Sequence, residues 1–456
     1  MKYRFLIFCF TLSLFLLSGC PKQSPVQNEP PASPADTSAS LPAKPAAPKE
    51  TSEEKTVRER TEQLGGTIRK NQAGRIIGIV IENNELTVED MQAIAKLSDL
   101  ETIRITGPSI SDEYVEAMSS LIKLKSVDIF NSNITNQSLE ILKTLPEIET
   151  LSLQRNVRFT DEAVALFTEF PKLQTLNILY NDFSPTSLMG LGKLSSIRVL
   201  DLRALPIGDD TLIFISKLEN LEEIHIRSTL VTNAGMEFLK RCKNLKTIEL
   251  QDTSISTGCA EHFKEMESLR SLRIFRAPEF DAEAVSELGV LTNLETLELR
   301  ELSCSNEALK ALKPLTQLKT VEFSELKGVD AETIMDVLKA YPKLESIRMF
   351  AMLVVDDSVA AFLATIPTLK TIGLPVTSVG DNGLEALTAL KNLSSLEIFG
   401  NKENITLEGA TRALTKFKNL RRLIIPETLE DNELNSKILK SSPRCNISVR
   451  TYSQEG

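Results

Sequence analysis

Two histidines stand among the 456 residues, His225 and His262. His225 has acidic company at a fixed interval: Asp201 lies 24 residues before it and Glu249 24 residues after it. A chain that repeats with that period would set a carboxylate, an imidazole and a second carboxylate in line, which are residue types that hold a metal ion or orient a general base. A nucleophile to complete such a site is not evident. Ser228 is near in sequence, but no strand-face Ser or Cys is paired with His225, and His262 falls in helix-like sequence (GCAEHFKEM). A polar ladder across neighbouring strands accounts for the same three residues without chemistry, so the sequence assigns no catalytic residue, no metal and no cofactor.

The element that would position them is a repeat. In LEEIHIRSTLVTNAGMEFLKRCKN, Leu221–Asn244, apolar residues fall at Leu221, Ile224 and Ile226, then at Val231, Met236 and Leu239; Leu245, Ile248 and Leu250 restart the phrase. The same L-x-x-L-x-L phrase begins fourteen times between Leu100 and Leu420, and eight of the thirteen intervals are 24 residues. Ile447 and Val449 supply a degenerate last rung. Apolar alternation (Ile224, Ile226) makes a short strand. A polar turn and a helix starter follow, such as Ser111-Asp112, Thr135-Asn136, Thr160-Asp161, Thr232-Asn233 or Ser184-Pro185. Helical spacing then places Leu139, Leu142 and Leu145, or Leu384, Leu387 and Leu390, on one face. Strand, turn, helix and return within 24 residues force parallel strands on one side and helices on the other. Helices are wider than the strand spacing of about 4.8 Å, so the stack curves with its strands inside. The expected fold class is α/β, a right-handed solenoid shaped as a horseshoe, with parallel strands on the concave face and helices on the convex face.

Positions between and just after the core residues of each strand then share the concave face. One row carries Asp201, His225, Glu249, Arg273, Glu298 and Arg348; the next carries Phe130, Arg203, Arg227, Phe275, Arg300, Phe350 and Phe399; a third includes Arg155, Tyr180, Asp252 and Arg276. Exposed aromatic and guanidinium groups are the types that anchor protein interfaces. Tyr180, Arg203, Arg227, Arg273, Phe275 and Arg276 form the candidate ligand-binding centre. The competing expectation is an ordinary face whose Arg and Glu residues satisfy one another across strands. Arg203 and Arg227, as lateral neighbours, need carboxylates close by in either case.

The ends divide by composition. Residues 1–20 place Lys2 and Arg4 before an apolar run, Phe5–Leu17, and end in Leu-Ser-Gly-Cys; a basic start, a short apolar core and small residues describe an export signal. The run is too short for a comfortable membrane span. Residues 21–52, rich in Pro, Ala and Ser, cannot bury enough surface to order themselves and read as a tether. Residues 53–75 read as an amino-terminal cap, a helix followed by the start of a β-hairpin; 76–450 form the solenoid and 451–456 a tail. Net charge is −10, and removing Lys2 and Arg4 with the leader leaves −12, which argues against nucleic acid as a partner. Beyond Cys9 and Cys20, Cys242, Cys259, Cys304 and Cys445 lack metal-like spacing and are expected to be free, buried thiols.

On these residues the chain resembles leucine-rich repeat proteins over roughly 76–450. The form L-x-x-L-x-L-x-x-T-x-I-T-D/N-x-x-L is similar to the helix-rich repeats of ribonuclease inhibitor and F-box substrate receptors. The Leu17–Cys20 ending resembles a bacterial lipobox. Together with the tether and the LGGTIRKNQAGRIIGIVI entry, it makes the chain most similar to bacterial leucine-rich repeat lipoproteins, such as those common in planctomycetes. The resemblance implies lipid attachment and fatty acylation (palmitate) at Cys20, which would become the new amino terminus. It also implies a membrane-anchored recognition module without chemistry of its own, whose partner is a protein or an envelope glycan. An Asp after the acylated Cys retains such proteins at the inner membrane in some Gram-negative bacteria; Pro21 stands there, which implies the outer membrane or cell surface. A structural envelope scaffold without a discrete ligand is the alternative. The family's Asn/Thr position is filled by Leu205, Ala277, Leu302, Leu326 and Met352, so an incomplete asparagine ladder and less regular middle repeats are expected.

Overall fold

The computed structural model describes residues 50–401 and 404–451. The expectations for the leader, for Cys20 and for most of the tether therefore lie outside the described residues. Lys49–Tyr452 form one compact unit. No helix among the described residues is long and apolar enough to cross a membrane.

Helix α1 (Ser52–Gln63) opens with a reciprocal capping box between Thr51 and Glu54, so it begins one residue inside the stretch read as tether. Strands β1 (Thr67–Lys70) and β2 (Ile76–Ile81) pair antiparallel. From β2 onward each strand pairs parallel with the next, giving one sheet of 17 strands among the described residues. Equivalent residues stay opposite one another: Asp201 faces His225, His225 faces Glu249, Glu249 faces Arg273, Arg273 faces Glu298 and Glu298 faces Glu322. The repeated apolar residues form one continuous core, with Leu221, Ile224, Ile226, Val231, Met236 and Leu239 all fully buried. Each 24-residue unit buries its apolar stripe only against its neighbours, which is why the core runs the length of the stack.

Every strand must turn sharply into its helix, and the turn recurs. Asn131, Arg155, Tyr180, Ala204, Asp252, Arg276, Glu301, Glu325, Ala351 and Val376 all lie in the left-handed region, with φ between 48° and 59°. That conformation disfavours side chains by roughly 1–2 kcal/mol each. It is offset because the same residues extend the ladder into the turn: Asn131 N–H donates to Gln154 C=O at 2.9 Å, and Asp252 N–H to Phe275 C=O at 3.0 Å. Across the turn, an Asp at one helix start clasps the cap residue of the next. Asp209 accepts from Thr232 N–H and Oγ1 at 2.9 and 2.6 Å, and Asp112 accepts from Thr135 N–H and Oγ1 at 2.8 and 2.7 Å.

The asparagine ladder is broken into two pieces. Asn156 Oδ1 accepts from Ser132 N–H and Oγ at 3.0 and 2.6 Å, and its Nδ2 donates to Ile129 C=O; Asn181 Oδ1 accepts from Asn156 N–H at 2.8 Å. Asn401 and Thr377 form the second piece. Between them Leu205, Ala277, Leu302, Leu326 and Met352 are buried apolar substitutes. The substituted rungs are regular only in part. Those of Ala277, Leu302 and Leu326 keep five-residue strands, whereas those of Leu205 and Met352 have three-residue strands, as does the rung of Asn181, so strand length does not follow the amide. Asn156→Leu would bring in the residue type native at 205 and 302 but leave buried Ser132 and Ile129 groups unpaired. A loss of about 2–4 kcal/mol is expected in urea unfolding; an unchanged midpoint would refute this assignment.

Candidate functional site

Strand period two sends the first, third and fifth residue of each strand to the face opposite the helices. In Glu223–Arg227 (EIHIR) these are Glu223, His225 and Arg227. The three-rung row expected from spacing does form, and its chemistry is legible. His225 Nδ1 lies 2.9 Å from Glu249 Oε2 and its Nε2 lies 2.7 Å from Glu223 Oε1. Burial alone would lower the imidazole pKa, but the bonds to Glu223 and Glu249 and the charge of Asp201 outweigh it and lift the value to about 9. His225 is therefore an imidazolium at neutral pH with both nitrogens donating. It has no lone pair for a metal and no capacity to take up a proton. Ser228 Oγ is occupied, donating to Ile207 C=O at 2.6 Å. No cluster of three or more His, Cys, Asp or Glu among the described residues is placed to hold a metal ion.

Two carboxylates gather the candidate arginines. Arg203 is clasped twice by Asp201, at 2.9 and 2.6 Å, and reaches Glu249 at 3.1 Å. Arg273 stands between Glu249 (3.7 Å) and Glu298 (3.1 Å), the latter contact lacking hydrogen-bond alignment at Nε. Glu249 is thus shared by Arg203, His225 and Arg273; burial raises its pKa, but these three cations more than reverse that and hold it below the usual carboxylate range. Asp252 serves likewise in the adjoining row, bonding Arg227 Nε at 2.5 Å and Arg276 Nε at 2.7 Å, and its pKa is also lowered against burial. Arg203 and Arg227 avoid mutual repulsion by turning to different carboxylates.

Of the six candidate residues, Arg227 Nη1 meets the Tyr180 hydroxyl at 3.3 Å and shares Asp252 with Arg276, while Arg203 and Arg273 share Glu249. Phe275 is half-buried, between Gln251 and Arg300 in the neighbouring strands. Tyr180 is 37% exposed; Arg155 lies over its ring at 4.9 Å and over the Phe130 ring at 5.7 Å. Only Tyr180 of this Phe130–Arg155–Tyr180 stack is among the six candidates, and none is in a second cluster, Phe350 with Arg300 and Arg348 at 5.3 Å each. Their rows were visible, but contacts between rows depend on the turn that carries Arg155 and Tyr180 at positive φ. Glu223, which closes the His225 clamp, was signalled by its place two residues before His225. The four described cysteines are buried free thiols, and burial raises the pKa of Cys242 and Cys304 to about 11.

Among solved structures, the chain is similar to Rad7 in the yeast Rad7–Elc1 complex, at 16% identity and a TM-score of 0.51, over 87% of this chain and 92% of that one. It is also similar to an internalin of Listeria monocytogenes (16% identity, TM-score 0.45, 88% and 94% of the two chains). A leucine-rich repeat protein of Leptospira interrogans gives 15% identity and a TM-score of 0.37, over 80% and 99%. No curated protein matches the chain. The family model described as "Leucine-rich repeat region" matches residues 160–431, well over half of the sequence, and the chain belongs to the leucine-rich repeat family.

Proposed function

We propose that this protein is a non-catalytic recognition module, exported and held at a bacterial membrane by lipid on Cys20, which binds a protein partner through its strand face. Leucine-rich repeat proteins commonly serve as protein-interaction modules, and the yeast neighbour was solved in complex with Elc1. The observation that carries the reading is the exposed Tyr180, stacked on Arg155 and bonded to Arg227. It is an exposed aromatic group with a polar handle, its ring and hydroxyl already held by neighbouring guanidinium groups. The second reading, an envelope scaffold without a discrete ligand, has its own observation: Arg203, Arg227, Arg273 and Arg276 are already paired with carboxylates of the same face. An envelope glycan in place of a protein would use the same aromatic surface.

The test is capture from envelope extract by residues 21–456, which keep the Thr51 cap of α1, and by a Tyr180→Ala/Phe275→Ala variant. Arginines are left intact because removing Arg203 would take the guanidinium from buried Asp201 and one of three cations from Glu249. One partner retained by the wild type and lost tenfold or more by the variant, at unchanged unfolding temperature, supports recognition. Identical retention by both defeats it in favour of the scaffold. In the same cells, Cys20→Ser is expected to move the full-length protein from the membrane to the soluble or uncleaved fraction; unaltered membrane extraction would defeat the anchor.

A further inference from the structure

We propose that the carboxyl-terminal end of the solenoid docks on the anionic headgroups of a phospholipid bilayer. Residues 411–450 carry nine Lys and Arg against four Asp and Glu in a chain whose net charge is −10. The signs are also separated in space. All four acids, Glu427, Glu430, Asp431 and Glu433, precede or open the helix Asn432–Ser441, while Lys440 and Arg444 lie at and beyond its other end. Ten residues of helix put about 15 Å between the two ends. Lys418, Arg421, Lys440 and Arg444 have no carboxylate partner among the described residues, in contrast to the paired arginines of the strand face. Between this helix and the preceding one, Leu407–Leu414, lies a shallow open surface lined by Thr411, Arg412, Thr415, Lys437, Lys440 and Ser441, in which Arg412 and Lys437 are paired with Glu385 and Glu433 and Lys440 is not.

The occupant must be anionic, and its breadth and apolar content narrow the choice. The cations are spread over two helices and two connections rather than converging on a cavity. On the same last rung, Leu439 and Val449 are exposed at 41% and 37%. The headgroup–acyl boundary accepts basic side chains together with apolar ones, whereas a soluble polyanion gains nothing from Leu439. A second copy of this end would bring like charges together. This surface is separate from the strand face and requires no lipid on Cys20, so it stands or falls apart from the function proposed above.

The test uses the chain from Pro21 onward, without lipid, sedimented with vesicles of phosphatidylcholine alone or with 30% phosphatidylglycerol. Binding is expected only to the anionic vesicles, weakening strongly between 0.1 and 0.5 M salt. Lys440→Glu/Arg444→Glu should weaken it at least tenfold, while Arg241→Glu/Lys243→Glu, which changes net charge equally in mid-solenoid, should leave it within twofold. Leu439→Ser should weaken vesicle binding severalfold without altering retention on heparin. No binding to anionic vesicles, or equal losses in the two double variants, overturns the proposal. Retention on heparin as strong as on the vesicles, with vesicle binding undiminished by Leu439→Ser, would make this surface a general polyanion site and overturn the bilayer as its occupant.

Discussion

Glu249→Gln is expected to destabilise the protein by about 3–5 kcal/mol at pH 7, the largest loss of any single polar substitution on the strand face. The side chain keeps its size, so what disappears is charge. Arg203, His225 and Arg273 all approach this one carboxylate, which is itself buried, and each would be left in a poorly hydrated place with some of its compensation gone. His225 gives the change a pH signature. Its folded pKa of about 9 stands above the ordinary value of 6.5, so its contribution is whole below pH 6.5 and is lost as the pH rises through 9. A shift of that size corresponds to about 3 kcal/mol in the wild type. With Glu249 neutralised, the imidazole keeps only Glu223 and the more distant Asp201, so the loss should begin at lower pH. Because a solenoid can open locally, hydrogen exchange across residues 199–275 is the measurement of choice beside urea unfolding. A variant as protected as the wild type at pH 7, with the same pH profile, would show that Glu249 does not hold the row together.

How much of this was legible in the sequence depends on range. The repeat phrase determined which residues enter the core and which rows they leave outside, because strand period and a near-constant 24-residue interval fix lateral neighbours; Asp201, His225 and Glu249 were aligned on that basis alone. What the phrase could not show is the direction taken by long side chains. Arg203 folds back on Asp201 within its own rung and also crosses two rungs to Glu249, a separation of 46 residues, and Arg227 reaches both Asp252 and Tyr180. Such choices are set by which carboxylate is buried and by the left-handed turn that aims Tyr180 and Arg155, and turn conformation at non-glycine residues leaves little mark in sequence. The asparagine position is only a partial guide to regularity, for a related reason. Leu302 and Leu326 replace a hydrogen-bonding rung by an apolar one of similar size, and packing keeps the register that the amide keeps elsewhere.

Glu298→Gln should act in the opposite sense from Glu249→Gln, raising stability by about 1–3 kcal/mol at pH 8 while changing little at pH 5. In the same row as Glu249, the register sets Glu298 directly opposite Glu322, so two carboxylates occupy adjacent rungs. Glu322 has good partners, Arg348 at 3.0 Å and Ser324 Oγ at 2.7 Å. Among the described residues Glu298 has only the misaligned Arg273, which Glu249 also claims. Burial, resisted by Arg273 but reinforced by Glu322, lifts the Glu298 pKa to about 7. A carboxyl whose folded value exceeds its ordinary value of 4.5 favours folding when protonated. That contribution is present below pH 4.5 and is lost as the pH rises through 7, a swing of about 3 kcal/mol. The amide cannot ionise and so escapes the loss, although it gives up its share of the Arg273 pair, which limits the gain. Glu322→Gln should instead lower the Glu298 pKa by removing the facing charge, but at the cost of Arg348's partner. Since other groups titrate in the same range, the readout is the difference between wild type and Glu298→Gln in urea unfolding at pH 5, 6, 7 and 8. A difference that does not grow in the variant's favour with pH would mean that Glu298 is already ionised and adequately paired, and that the concave row tolerates facing carboxylates for another reason.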